Sequence, residues 1–294
     1  MADINNFGKE HLEDEEFTNK NSGNSGEKKN IFNIVIIMMI IIGAVIAMIG
    51  YALIRNTDTE KYFKTTTINE TYDIDDINAF DIECGATDIS ILKSKDGKIH
   101  LNAEKIPEKS KVSVNGKTLS IVCEKNGDFD LSFWIFHWNG VNDKITIELP
   151  EKEYEKLAVS AGAGDMDLSG ISIGEIKLES GAGDIDLESV KCDTASVRSG
   201  AGDHKYTDFA CSGTLTDKTG AGDTKAASAK LGGFNSSHGA GDTNFTGRID
   251  GDIKVSSGAG DVTLNLENSS SDYIGKYKMD ISTGAGSTKV TYDN

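Results

Sequence analysis

The chain has 294 residues, 30 basic and 47 acidic side chains, a formal net charge of −17, and 32 Gly against 2 Pro. Glycine at this level, without proline and without a three-residue period, excludes a collagen-like chain and a Pro-rich extended linker. The acidic balance, with no Lys- or Arg-rich block, excludes sequence-independent binding to nucleic-acid phosphates, and four Cys are too few for a disulfide framework in a chain long enough to bury a core.

In chain order, residues 1–30 read as a short disordered cytoplasmic tail, polar throughout, with 4 Lys, 7 acidic residues and an Asn/Ser/Gly stretch from Asn19 to Gly26. Ile31 to Ile54 is a run of 24 residues with no charge and one strongly polar side chain, Asn33. A helix rises ~1.5 Å per residue and the hydrocarbon layer is ~30 Å thick, so the run is long enough to cross a bilayer. It exceeds the ~7 to 15 residues of a signal-peptide core and has no A-x-A site after it, which makes it an uncleaved anchor. Flanking basic residues tie, with Lys20, Lys28 and Lys29 before the span and Arg55, Lys61 and Lys64 after it. The adjacent Lys28-Lys29 pair tips the N-terminus inward, leaving the C-terminal region outside the cytoplasm in a single-pass cell-membrane protein. Residues 55–64 read as a linker.

Residues 65–150 alternate with period two in short segments: Ala79 to Leu92, Lys98 to Ala103, Lys111 to Val114, Lys117 to Glu124 and Lys144 to Leu149. Asn115-Gly116 between two of them is a hairpin signal. Leu131 to Trp138 (LSFWIFHW) is the one aromatic cluster, with Trp134, Phe136 and Trp138 at period two. It reads either as a strand capping the open end of the domain or as a contact for lipid headgroups or a ligand, which makes these three residues interaction candidates.

Residues 151–294 repeat. Gly-Ala-Gly-Asp begins at Gly162, Gly181, Gly200, Gly220, Gly239 and Gly258, and Gly-Ala-Gly-Ser at Gly284, with steps of 19, 19, 20, 19, 19 and 26. Two columns before the motif alternate with polar residues: Leu157, Ile176, Ala195, Leu215, Phe234, Ile253 and Met279, and then Val159, Leu178, Val197, Asp217, Ser236, Val255 and Ile281. A third follows it, Leu168, Leu187, Tyr206, Ala226, Phe245 and Leu264. Each repeat thus offers short strands that bury an apolar face only by stacking at ~4.8 Å per coil, the logic of a single-stranded parallel β-solenoid of about 19-residue coils. The motif is the coil's corner: glycine accepts φ > 0, expected at Gly200 among others, alanine is small, and aspartate bonds nearby amides. Asp165, Asp184, Asp203, Asp223, Asp242 and Asp261 would then form a column of carboxylates, which calcium could bridge. The corner function by itself accounts for the aspartates, so calcium is the secondary reading and no other cofactor is implied.

The anchor, the strand-rich segment ending in Lys144 to Pro150 (KITIELP) and the repeated (S/T)-G-A-G-D units resemble the bacterial family of putative adhesins of unknown function with β-strand repeats. The likeness covers about Thr65 to Asn294. It implies a β-solenoid displayed outside the cytoplasmic membrane, with roles in surface adhesion or envelope-stress signalling, and supplies no catalytic residues.

Little else carries chemistry. The five His (His11, His100, His137, His204 and His238) form no ligand cluster, and His204 and His238 read as surface residues. No G-x-S-x-G, H-E-x-x-H or P-loop pattern occurs. Carboxylate pairs such as Asp165/Asp167 invite a glycosidase, but later copies replace the second acid by Lys205, Lys225, Asn244 and Thr263, as a solvated face would. Cys192 and Cys211 occupy equivalent positions in consecutive repeats, as a disulfide or as stacked thiols, and the pairing of Cys84 and Cys123 stays open. The expected function is a non-catalytic surface display or interaction module for a cell-surface polymer or another membrane protein. Its rival is an envelope-stress sensor binding lipid, peptide or a membrane partner, with a carbohydrate-active enzyme third.

Overall fold

The computed structural model describes residues 64–123 and 143–293. The chain divides into two units, Met1–Thr57 and Asp58–Asn294, and every described residue belongs to the second. The apolar run 31–54 and Trp134, Phe136 and Trp138 lie outside the described residues, among which no helix is long and apolar enough to cross a membrane.

The described part is all-β and β-solenoid-like. From Glu153 onward a long strand and a short one alternate: β8 (Glu153–Ala163), β9 (Met166–Ser169), β10 (Ser172–Ala182), β11 (Ile185–Glu188), β12 (Lys191–Ala201), β13 (His204–Thr207) and β14 (Ala210–Ala221). β15 (Thr224–Ala240) joins a short and a long strand without a break, and β16 (Thr243–Ile249), β17 (Ile253–Ala259), β18 (Val262–Ser269), β19 (Met279–Ala285) and β20 (Thr288–Asp293) complete the series. Each strand pairs in parallel with its equivalent one repeat on, as in Leu157↔Ile176↔Ala195↔Leu215 and Leu168↔Leu187↔Tyr206. The 19-residue period is therefore the length of one coil. The inward columns are those the alternation marks, with Leu157, Ile176, Leu178, Leu187, Leu215, Phe234 and Leu264 essentially inaccessible. At ~1.5 to 3 kcal/mol per fully buried large apolar side chain, these columns supply the driving force that no single coil could muster.

The corner motif is placed as expected, but its two glycines do different things. The second one has the positive φ, as in Gly202 at +133°, whereas Gly200 does not. A Cβ on Gly200 would instead stand 2.5 Å from the Gly181 carbonyl oxygen in the neighbouring coil, so that glycine is demanded by stacking distance. A second corner, unmarked by any exact motif, is turned by left-handed residues at Gly170, Ser189, Asp208 and Ser228, with φ of 66°, 54°, 50° and 56°.

The N-terminal part joins the same stack out of order. β2 (Ala79–Ala86) and β3 (Asp88–Lys93) form a coil whose corner is Gly85-Ala86-Thr87-Asp88, and β6 (Thr118–Val122) and β7 (Lys144–Leu149) form another. β2 lies between β6 and β8, and β3 between β7 and β9, all parallel. The segment Ala79 to Leu92 is thus two strands around a corner. Beyond the β6/β7 coil the direction changes: β5 (Lys111–Asn115) runs antiparallel to β6 through the Asn115-Gly116 hairpin, and β4 (Ile99–Pro107) runs antiparallel to β7 and to β1 (Thr65–Tyr72). These antiparallel strands close that end of the stack.

Candidate functional site: the aspartate ladder and the buried polar cluster

The predicted aspartate column exists, and its carboxylates face backbone amides. Oδ1 of Asp165 accepts the N–H of Asp184 at 2.8 Å, and the pattern repeats through Asp203 on Asp184 (2.8 Å), Asp223 on Asp203 (2.8 Å), Asp242 on Asp223 (2.9 Å) and Asp261 on Asp242 (2.7 Å). It ends where Ser287 donates its N–H (2.7 Å) and hydroxyl (2.9 Å) to Asp261. It begins one coil earlier than the motif count suggests, with Asp165 N–H on Asp88 Oδ1 at 3.1 Å. The signal for that step was the degenerate GATD at Gly85 to Asp88, which differs from the motif at one position. Like charges one coil apart are thus each offset by an amide dipole. The amide of Asp242 holds the Asp223 carboxyl below its ordinary value, and the amide and hydroxyl of Ser287 do the same for Asp261. With one oxygen of every aspartate committed to the backbone, no group of three or more His, Cys, Asp or Glu that could hold a metal ion occurs among the described residues.

The described part of the β6/β7 coil ends at Cys123 and resumes at Asp143, and a disulfide joins Cys123 to Cys84 in the next coil, with Cα atoms 4.7 Å apart. The 19 residues between, which include Trp134, Phe136 and Trp138, are therefore rooted at a cross-linked corner. Asp143 is buried, its Oδ1 has no hydrogen-bond partner, and burial, opposed by the Lys105 charge, pushes its carboxyl up to about 6. Cys192 and Cys211 are free thiols facing one another in register, and their contact together with burial pushes the Cys192 thiol up, away from reactivity.

His204 and His238 are not at the surface: their side chains are fully enclosed, as is Asp217. Asp217 Oδ1 accepts from His204 Nδ1 and from the Tyr206 hydroxyl (3.1 Å), and Oδ2 accepts the Thr224 hydroxyl. His204 Nε2 lies 2.8 Å from Ser199 Oγ, itself 3.0 Å from Thr219 Oγ1. His238 Nε2 stands 2.7 Å from Ser236 Oγ and 3.9 Å from Asp217 Oδ2, while its Nδ1 points at the Gly222 carbonyl at 3.3 Å. Carboxylate and carbonyl oxygens only accept, so both histidines carry a proton on Nδ1, and the Ser199 hydroxyl donates its own proton to Thr219 Oγ1. Burial, then the Asp217 charge, pushes the Tyr206 phenol well up, keeping it a donor. The sequence did hold a sign of this cluster: Asp217 and Ser236 stand in an otherwise aliphatic inward column, and a buried carboxylate requires partners. The position after the motif aspartate, which reads Met166, Ile185, His204, Thr224, Thr243 and Val262, supplies two of them, His204 and Thr224.

Ser199, His204 and Asp217 have the connectivity of an acyl-transfer triad. The His204 and Asp217 side chains, however, lie wholly inside the stack. What the cluster can do is join coils: it ties β12, β13, β14 and β15 through side chains alone.

Residues 77–294 match the Toastrack DUF4097 family model, and the chain belongs to that family. It is similar in fold to the crystal structure of a putative adhesin from Bacteroides fragilis, at 20% identity over 78% of this chain and 99% of that one, with a TM-score of 0.53. A putative adhesin from Parabacteroides merdae, at 12% identity, covers 77% of this chain and 96% of that one with a TM-score of 0.46. None of the curated proteins matches the chain.

Proposed function

We propose that this member of the Toastrack DUF4097 family is a single-pass membrane protein in which residues 31–54 cross the bilayer and hold a parallel β-solenoid of about 19-residue coils outside the cytoplasm. There it acts as a non-catalytic adhesin or cell-surface interaction module, binding a cell-surface polymer or another membrane protein. One observation carries the reading: the polar groups that could do chemistry are consumed inside the stack or along its corner, while the outward columns form a regular array. In one such column Ala158, Lys177, Ser196, Thr216, Asn235 and Lys254 stand in register from coil to coil. Arrays of this kind suit extended polymers. The name of the Bacteroides fragilis relative agrees with it. Trp134, Phe136 and Trp138, rooted at the corner between Cys123 and Asp143, are the proposed contact residues.

The test uses the full chain in cells. Protease added to intact cells should remove a C-terminal epitope, and protection of that epitope would overturn outward display. The full chain in detergent micelles should co-sediment with cell-wall polysaccharide, lose most of that binding when Trp134 and Trp138 become alanine, and release no sugar. Released sugar would overturn the non-catalytic reading, and binding unchanged in the double variant would overturn the role of the aromatics.

A further inference from the structure

The two ends of the stack differ. At the β6/β7 end the inward residues Leu119, Ile121, Ile145, Ile147 and Leu149 are fully covered, because β5 and β4 lie over them. At the other end β19 pairs with β17 and β20 with β18, and among the described residues no strand pairs with the far edge of either. The inward residues of this last coil, Met279, Ile281, Val290 and Tyr292, are only partly buried, whereas their equivalents Ile253, Val255, Leu264 and Leu266 one coil in are buried. Such an edge is a template for a further strand.

We propose that a second copy of this chain covers it, end to end about a two-fold axis, so that β20 pairs antiparallel with β20 and β19 with β19 of the other copy. A further parallel coil is disfavoured by the ladder itself: Ser287 stands where a carboxylate would be needed to accept the next amide. The stack's other end offers no matching surface, since its outer strands run antiparallel to the coils. An isologous contact, by contrast, makes antiparallel pairing automatic. The sequence of β20, Thr288–Asp293, is complementary to itself in one register. Centred on Thr291, the pairing sets Lys289 against Asp293 twice on the outward face and Val290 against Tyr292 twice on the inward face. Ser287 O accepts from Val262 N–H at 2.9 Å, and the alternation of a parallel ladder then turns the N–H and C=O of Val290 and Tyr292 toward the open edge, where this register needs them. On β19 the matching centre is Ile281, which sets Asp280 against Ser282 and avoids any like-charge pair. Ile281 and Thr291 lie five residues before and five after Gly286, so a single axis can pass through both.

Disulfide trapping of the full chain in detergent micelles tests the pairing, since the native cysteines are either bonded to one another or buried. Thr291→Cys places a thiol on the proposed axis in a non-hydrogen-bonded antiparallel pair, within bridging distance of its copy. Mild oxidation should yield a covalent dimer. Asn265→Cys, on the same outward column one coil in, should not. Adding Asp293→Lys to Thr291→Cys should cut the dimer about tenfold by replacing two attractive pairs with two repulsive ones, and the further change Lys289→Asp should restore it to within about twofold. Equal trapping through positions 291 and 265 would overturn end-to-end pairing. A dimer indifferent to Asp293→Lys, or not recovered by the charge swap, would overturn the register.

Discussion

The inward column three residues before the corner motif is aliphatic at Val159, Leu178 and Val197, becomes Asp217 and Ser236, and returns to Val255, with all six side chains buried. The two kinds of interior do different work. Aliphatic coils gain their free energy from removal of apolar surface, which is non-directional and lets near-identical coils stack in many ways. The polar coils gain little net free energy per hydrogen bond, but a shift by one coil would leave Asp217 against Leu or Val with its donors lost, a cost of several kcal/mol. A repeat whose coils differ chiefly in such a cluster thus has one stacking order that satisfies it.

Four experiments break or sharpen this contrast. The largest effect should come from the corner shared by both interiors: Gly202→Val combines a forbidden φ with a collision against the Gly183 carbonyl oxygen. It should cost more than ~4 kcal/mol in a denaturant titration or prevent folding. Next, Asp217→Ala should cost about 3 to 5 kcal/mol by stranding His204, Tyr206 and Thr224, while Leu178→Ala in the same column costs about 2 to 5 by leaving a cavity. The pair separates when the site is made apolar. Asp217→Leu combined with His204→Ile should recover at least half of the Asp217→Ala loss, and failure to recover would show that the cluster stabilises the fold in its own right. Third, Asp203→Ala removes the acceptor of the Asp223 amide. A loss of about 1 kcal/mol is expected there, since the freed amide sits at an exposed corner open to water.

The smallest effect is a pH dependence with two signs. Asp143 has its folded value raised from 3.8 to about 6, so the folded state holds the extra proton and stability falls as pH rises across that window. Asp143→Asn should therefore raise the melting temperature at pH 7, by the equivalent of about 1 kcal/mol, and change nothing at pH 3. Asp223 and Asp261 are held low, so their contribution is present above the unfolded carboxylate value and is lost as pH falls through the folded one. Acid should thus loosen the corner ladder even as it relieves Asp143.

Much of the architecture was legible before any coordinates. Six copies of GAGD in phase with alternating columns specify coil length, corner and inward face, because each is a local property of about 19 residues. The Asn115-Gly116 hairpin and the strand Lys144 to Leu149 were equally local. Glycine's role was only half legible: composition says that a corner needs glycine, but whether φ or the distance to the next coil demands it is a relation between coils, and Gly200 and Gly202 answer differently.

What the sequence by itself determined, then, is the period, since a residue's inward or outward direction follows from its own strand's alternation. Only the tertiary structure decided which coil touches which. The first coil in the sequence became the second in space because β6 and β7 turn back over it, and Asp88 meets Asp165 across 77 residues of chain. The same holds for His204 and His238, which are enclosed beside the Asp217 carboxylate of a neighbouring coil: a polar side chain enters a core only where its partner already waits, and strand alternation alone does not say which residues meet across a corner.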